Sequence, residues 1–557
     1  MKNFKINTYL WGLAVGLMPL AVTSCSDTWD DHYDTPAAGQ GTLWEAIGQN
    51  ASLSHFATVV KGCGYDRALA GSQSYTVFAL TNDALSEQQA DSLVAAYQKQ
   101  KAAGVRDNDN TVMKQFLKNH IALYRHSASS LTNDSVTMLN GKYEPMTGTT
   151  VGGSSFVSAN TPCSNGVLYT VGSRINYFPN VLEYMGMDAA LDSAYQFINS
   201  YSTYTFNESA SVAGDIVDGK TVYLDSVMDV HNDFLLSINA PLTTEDSTYM
   251  VVAPDNDTWR SLFGTYKSYF TYGRTVNHRD SLQRVMAGQA LLGGTVFSLR
   301  QNKQEALADS ATSTSFVLSS HSYSADDTGT YKYYRYFRPY DAGGVFNGRQ
   351  AVRCSNGQVL KGSAWNIKPE QTFLQDVKVE CENQLYIDTI ANAVEPLISH
   401  VVPSDNSFYG SISSHAFAEV KAASSKEGEF PSPMVRYNIP QVLSNVPYDV
   451  YVVFAPIRAY DAYASGDDLL PSRVRFQLNW YNLDHKLQQR RLKTLVIDPN
   501  KVDTVQVASK LSFPTTAYGL TDNNVMLSLF SSVSRNQTTT YSNDFRIDCI
   551  IFKPHRD

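Results

Sequence analysis

Runs of positive charge are missing from this 557-residue chain: 44 lysines and arginines lie dispersed among 53 acidic residues, for a net charge of −9. Such a balance leaves no electrostatic footprint for nucleic acid. Cysteine is sparse, six in all and none in CxxC spacing, which removes zinc-ribbon and thioredoxin patterns. Apart from Cys25 these are Cys63, Cys163, Cys354, Cys381 and Cys549, an odd set, so at least one stays unpaired within a monomer. There is no G-x-S-x-G elbow, H-E-x-x-H helix or G-x-G-x-x-G turn in a credible context. The nearest approach to a phosphate loop, Gly288 followed by Gly293-Gly294-Thr295, has Gly294 where a lysine must reach the phosphates. No cofactor or metal is expected.

What is present begins with Lys2 and Lys5 ahead of an uncharged apolar run from Leu10 to Val22. It is shorter than the roughly 20 residues of a membrane-spanning helix and reads as a secretory signal over residues 1–24. The following Val22-Thr23-Ser24-Cys25 resembles a bacterial lipobox, which implies that Cys25 is acylated and becomes the first mature residue. Residues 25–40 hold Asp27, Asp30, Asp31 and Asp34, cannot build a core, and read as an extended tether. An acidic stretch there resembles an export signal carrying lipoproteins to the outer face of the outer membrane, so a lipid-anchored, surface-exposed location is expected. Asp30, Asp31, His32 and Asp34 could be taken for metal ligands, but on a tether they lack supporting groups and read as solvated linker.

The length suggests three or four domains, and two divergent copies of one segment order are visible. The first opens at Thr42-Leu43-Trp44-Glu45, a capping box, followed by an amphipathic stretch with Leu53, Phe56, Val59 and Val60. Then come Tyr75-Thr76-Val77-Phe78-Ala79-Leu80-Thr81-Asn82-Asp83-Ala84, Phe116-Leu117-Lys118-Asn119-His120-Ile121, Asn165-Gly166-Val167-Leu168-Tyr169-Thr170-Val171 and a closing Asn180-Val181-Leu182-Glu183-Tyr184. These segments resemble the boxes of the fasciclin domain, with Leu80 in place of the family's proline. The second copy is carried by Tyr249–Trp259, which recovers that proline as Pro254, by Val285–Leu291 with Gln289 where His120 stood, and by Cys354-Ser355-Asn356-Gly357. The resemblance implies tandem α+β fasciclin-like domains over 41–186 and 187–382.

Residues 383–557 change character. Tyr448 to Phe454, Val474 to Trp480 and Phe545 to Phe552 read as short strands, with every second residue apolar at Val474, Phe476, Leu478 and Trp480 and at Phe545, Ile547, Cys549 and Ile551. An antiparallel β-sandwich is expected, similar to jelly-roll, galactose-binding-like modules.

Candidate residues are few. His120 tempts as a catalyst because imidazole titrates near neutrality, yet the fasciclin resemblance implies a hydrogen-bonded core group, so it is assigned a structural role. Asp83 and Asp257 follow Asn82 and Asn256 at helix starts and read as caps. In Tyr331–Tyr340, alternation puts Tyr331, Tyr333, Arg335 and Phe337 on one strand face. Aromatic rings beside hydrogen-bond donors suit a sugar ring, and the bland reading is a Tyr-rich strand paired across a sheet. Asp134-Ser135-Val136, Asp225-Ser226-Val227 and Asp309-Ser310-Ala311 resemble acceptor triplets for O-glycosylation. The leading expectation is a non-enzymatic surface lipoprotein that captures polysaccharide or serves outer-membrane transport proteins in glycan uptake. A protein-binding adhesion or scaffold module comes second, and a glycoside hydrolase with carboxylates dispersed in sequence third.

Overall fold

The computed structural model describes residues 41–128, 134–217, 219–303, 305–316, 333–423, 429–520 and 524–556. The signal, Cys25 and the tether lie outside the described residues, as does Tyr331. No helix among the described residues is long and apolar enough to cross a membrane.

Thr42 and Glu45 form the expected reciprocal box, each satisfying the other's backbone N–H, and start the helix Leu43–Gln49 with Leu43 and Ile47 facing inward. Helix Ser54–Gly62 buries Phe56, Val59 and Val60 at the spacing of one helical face. Strand Tyr75–Leu80 is buried along its whole length, which is why it reads as an unbroken apolar run. It pairs antiparallel with Ile121–Leu123 and parallel with Gly166–Val171, inside a seven-stranded sheet. Asn165 ties this layer together: its side chain accepts from the Leu43 N–H at 2.8 Å and donates to the carbonyls of Leu69 and Gly71 at 2.9 and 2.7 Å.

A second unit repeats the arrangement on four strands. Tyr249–Val252 runs antiparallel to Val296–Ser298 and parallel to Gly357–Lys361, which forms a hairpin with Gln350–Cys354. Asn356 does what Asn165 does, accepting from the Val181 N–H at 2.8 Å and donating to Leu242 and Thr244 at 2.8 and 2.9 Å. Helix Val181–Met187, capped by an Asn180–Glu183 box, therefore stands where Leu43–Gln49 stands in the first unit. Its Val181, Leu182 and Met185 belong to the second unit's core. This corrects the expected boundary at 186: Asn180–Tyr184 opens the second unit instead of closing the first. A long hairpin, Ser202–Val217 with Lys220–Asn232, is inserted after the second unit's first helices.

The last unit is an antiparallel sandwich. One sheet runs Ile398–Val401, Ala416–Val420, Phe545–Pro554, Tyr448–Phe454, Asp503–Leu511; the other runs Ile387–Ala391, Met434–Ile439, Val525–Ser531, Ser472–Tyr481, Leu487–Ile497. Val377–Glu380 pairs with Phe545–Pro554 from Val377 opposite Phe552, so the sandwich begins before the expected residue 383. Val474, Phe476 and Leu478 are buried as the alternation requires. Alternation fails in Phe545–Pro554: Val453 faces Cys549 while Phe454 faces Ile547, leaving Asp548 as the extra residue of a bulge. The inward set shifts from Phe545 and Ile547 to Ile550 and Phe552, displacing Cys549 and Ile551 from the anticipated core row. All five described cysteines are free and buried.

The two junctions differ. The first unit keeps its own apolar cluster and meets the second through polar groups, with the buried Lys142 ammonium 2.8 Å from Glu183 and 2.6 Å from Glu245. Second unit and sandwich share one continuous cluster, reinforced where Tyr272 Oη donates to the Tyr518 carbonyl at 2.7 Å and Ser444 bonds Ser268 and Tyr269.

Candidate functional site

Strand Ser472–Tyr481 lies between Leu487–Ile497 and Val525–Ser531. With Val474, Phe476 and Leu478 turned inward, Arg473, Arg475, Gln477, Asn479 and Tyr481 fall on the opposite face. Register then builds a polar surface: Arg475 stands opposite Phe530, Gln477 opposite Ser528 and Arg491, Asn479 opposite Met526. From the far side Arg436 is also opposite Ser528. Asn479 donates to Ser528 Oγ at 2.9 Å, Gln477 to Asn479 Oδ1 at 3.1 Å, and Arg436 to Ser528 Oγ at 3.2 Å while pairing with Asp388. These bonds lock the amides in place before any ligand arrives.

The Arg475 guanidinium lies over the Phe530 ring, 3.9 Å from its centroid, a cation–π arrangement. Burial, with the like charge of Arg491 second, lowers its pKa. Among the described residues no carboxylate pairs with Arg475 and no acceptor takes its hydrogens. Asn438, in the adjoining strand, has a buried Oδ1 with no hydrogen-bond partner among the described residues. Asn479, Ser528 and the Asn438 Oδ1 are buried beneath the face, so what reaches its surface is the bonded amide of Gln477 and the free planar donor fork of Arg475, groups that grip hydroxyl and carboxylate oxygens. Sequence reasoning missed it because attention went to the apolar half of the alternation; the polar alternates at Arg473, Arg475, Gln477 and Asn479 were the available signal.

In strand Tyr333–Phe337, Tyr334 and Tyr336 are buried while Arg335 and Phe337 face solvent. Phe337 is 72% exposed, with the Arg335 guanidinium 5.1 Å from its ring centroid and anchored on Ser310 Oγ. Backbone pairing sets Tyr333 opposite Phe316. Ser135 and Ser226 are exposed, whereas Ser310 is partly covered.

At the Asp548 bulge, Glu380, Asp548 and Cys549 offer ligand atoms all within 4.8 Å of one another, a grouping that no sequence pattern announced. Asp548 accepts from the Ser413 N–H at 3.1 Å, and Lys378 sits 2.8 Å from Glu380. Burial raises Asp548 to about 7, the bond from Ser413 opposing and Glu380 adding. Two carboxylates suit a hard cation and a thiol a soft one, and the Lys378 ammonium already supplies positive charge.

His120 is fully buried, donating from Nδ1 to the Phe116 carbonyl at 2.7 Å and accepting at Nε2 from the Ile175 N–H at 3.1 Å. Burial lowers its pKa to about 4. Pairing of Val77 with Ile121 and of Val251 with Val296 makes Thr295, not Gln289, its counterpart in the second unit. Gln289 is only partly buried and bonds Ser237. Nor do Asp83 and Asp257 cap: Ser86 and Asp255 do. Asn82 and Asn256 instead accept from the N–H groups of His55 and Ser193 in the preceding helices, at 3.2 and 2.8 Å.

Among curated proteins, none matches. Among solved structures, the CBM22-1–GH10 modules of a Clostridium thermocellum endo-1,4-β-D-xylanase, complexed with xylohexaose, match at 12% identity and TM-score 0.20, over 30% of this chain and 26% of that one. The chain thus spans about a quarter of that structure's length. The FAS1 domain pair of the insect cell adhesion molecule Fasciclin I matches at 13% identity and TM-score 0.18, over 58% of this chain and 99% of that one. The CBM22-1 xylan-binding domain from Paenibacillus barcinonensis matches at 10% identity and TM-score 0.20, over 33% and 95%. The Fasciclin family, described as the fasciclin domain, matches residues 51–175. Those residues of this chain are a fasciclin domain.

Proposed function

We propose that this chain binds glycan without turning it over, through the polar sandwich face around Arg475, as an outer-membrane lipoprotein anchored at Cys25 and serving a glycan-uptake assembly. One observation carries the reading: a guanidinium stacked at 3.9 Å on Phe530, with no partner for its hydrogens among the described residues, beside the bonded amide of Gln477. Arg436 is the only one of its facing arginines, beside Arg475 and Arg491, paired with a carboxylate among the described residues. Glycans carrying carboxylates are therefore the preferred ligands, held by fork-shaped pairs. The second unit is a divergent fasciclin-like domain, a reading supported by the shared strand order and by Asn165 and Asn356. The fasciclin-like units space the sandwich from the membrane.

The test uses the chain from residue 26 onward in affinity electrophoresis against uronate-containing and neutral polysaccharides, with a reducing-sugar assay alongside. Retardation by uronate-containing polymers, lost in Arg475→Ala and without sugar release, is expected. Retardation unchanged in Arg475→Ala removes this face from the reading, and sugar release removes the non-catalytic part. A second reading, protein adhesion, is favoured by the hairpin Ser202–Val217/Lys220–Asn232, which leaves Tyr204, Phe206 and Val230 exposed. No retardation by any polymer would move the assignment there.

A further inference from the structure

The first unit contains a cavity of about 380 Å³ that the glycan reading does not use. It opens beyond the carboxyl ends of the parallel strands Tyr75–Leu80 and Gly166–Val171, whose last paired residues are Leu80 and Val171. Past that point the chains diverge, one toward helix Glu87–Ala102 and the other toward Arg174. The volume lies within the range of small-molecule pockets.

The lining has two characters. Leu80, Leu85 and Phe116 are almost wholly buried and make an apolar floor. Gln88 and Ser92 are exposed at the rim, and Arg174 faces them from the loop after the last strand. Arg174 lies over the Phe116 ring at 5.2 Å and donates to the Gln115 carbonyl at 3.1 Å. Among the described residues no carboxylate pairs with it. Gln115 and Phe116 belong to a π-helical turn, Met113–Leu117, closed by Lys118 N–H to the Met113 carbonyl. Such turns displace the usual helical bonding and occur often at functional sites.

The second unit does not repeat this. Counted from the equivalent glycines Gly166 and Gly357, the position of Arg174 is taken by Trp365, which packs against the core. The charged rim is thus a property of the first unit and not of the repeated architecture.

We propose that this cavity is a binding site for an apolar monocarboxylate, its chain or ring on Leu80, Leu85 and Phe116 and its carboxylate on the guanidinium of Arg174. An aliphatic amine would meet the same floor and be repelled at the rim; a neutral isostere would keep the floor and lose the charge-assisted bonds.

The test is calorimetric titration of the chain from residue 26 onward with octanoate and with octanamide. Octanoate is expected to bind once per chain and on the order of tenfold tighter than octanamide, the margin of a charge-assisted pair. Arg174→Gln should erase that preference while leaving octanamide binding as it was. Leu93→Trp, filling the wall of the cavity, should remove both ligands; thermal unfolding of each unliganded variant checks that the fold is intact. Absence of octanoate binding to the parent chain, equal affinity for the two ligands, or a preference that survives Arg174→Gln would each overturn the assignment.

Discussion

Replacing Asn165 with alanine removes three hydrogen bonds at once, because its amide holds Leu43, Leu69 and Gly71 together from a position 6% exposed. At about 1 kcal/mol net per bond the loss is about 3 kcal/mol, and the stranded groups can only add to it. Asn356→Ala removes the equivalent bonds to Val181, Leu242 and Thr244, so the two costs should agree within about 1 kcal/mol. Hydrogen exchange of the whole chain reads each unit separately. In Asn165→Ala, amides of Tyr75–Leu80 should exchange roughly a hundredfold faster, as about 3 kcal/mol requires. Those of Tyr249–Val252 should be unchanged, since the first unit has its own apolar cluster. In Asn356→Ala the change should fall on Tyr249–Val252. A loss below about 1 kcal/mol in either variant, or equal acceleration in both units from one substitution, would refute the equivalence of the two asparagines.

Other expected outcomes follow from burial and charge. Since His120 is neutral when folded, with its pKa lowered from 6.5 to about 4, its contribution is present above pH 6.5 and lost as pH falls toward 4, by about 3 kcal/mol. Glu144 in the same unit is raised by burial from 4.5 to about 7 and acts with the opposite sign, losing stability as pH rises. The difference between parent and His120→Gln unfolding curves across pH 4–7, rather than either curve alone, should show the histidine's slope. Lys142→Met leaves Glu183 with Lys114 alone and takes from Glu245 its ammonium partner in a buried junction, and should cost about 3 kcal/mol, read as faster proteolysis between residues 172 and 180. Although burial pushes Glu183 up, Lys142 and Lys114 hold it down at about 2, so its share of the junction is present above pH 4.5 and fades toward pH 2. A Cβ at Gly166 or Gly357 would overlap the carbonyl of Tyr75 or Tyr249; both alanine variants should lose soluble yield, Gly357→Ala more, because its φ is also +138°.

Local chemistry was legible in the sequence wherever a short pattern decides the structure. Thr42 with Glu45 makes its box, Tyr75–Leu80 is buried as its apolar run demands, and the Asn-Gly pairs at 165 and 356 sit at matching turns. Boundaries were harder, because the pattern at Asn180–Tyr184 fits the end of one unit as well as the start of the next and only contact with Asn356 decides. Threading by box similarity put Gln289 opposite His120, whereas strand register selects Thr295. The bulge at Asp548 is invisible to alternation because Ile550 and Phe552 are as apolar as Cys549 and Ile551. Arg475 and Phe530 lie on strands joined by a long excursion of chain, and no spacing along the sequence brings them to 3.9 Å.

The unequal junctions make the molecule divisible at one seam and not at the other. A cut near residue 176 passes between two separate apolar clusters and severs ion pairs that water can replace. A cut near residue 376 would strip Phe270 of the Tyr518 ring and Tyr272 of the Tyr518 carbonyl, together with the bonds from Ser444 to the second unit. Residues 177–556 are therefore the smallest piece in which the sandwich keeps all its walls, and any transplant of its polar face into another protein has to carry the second unit with it.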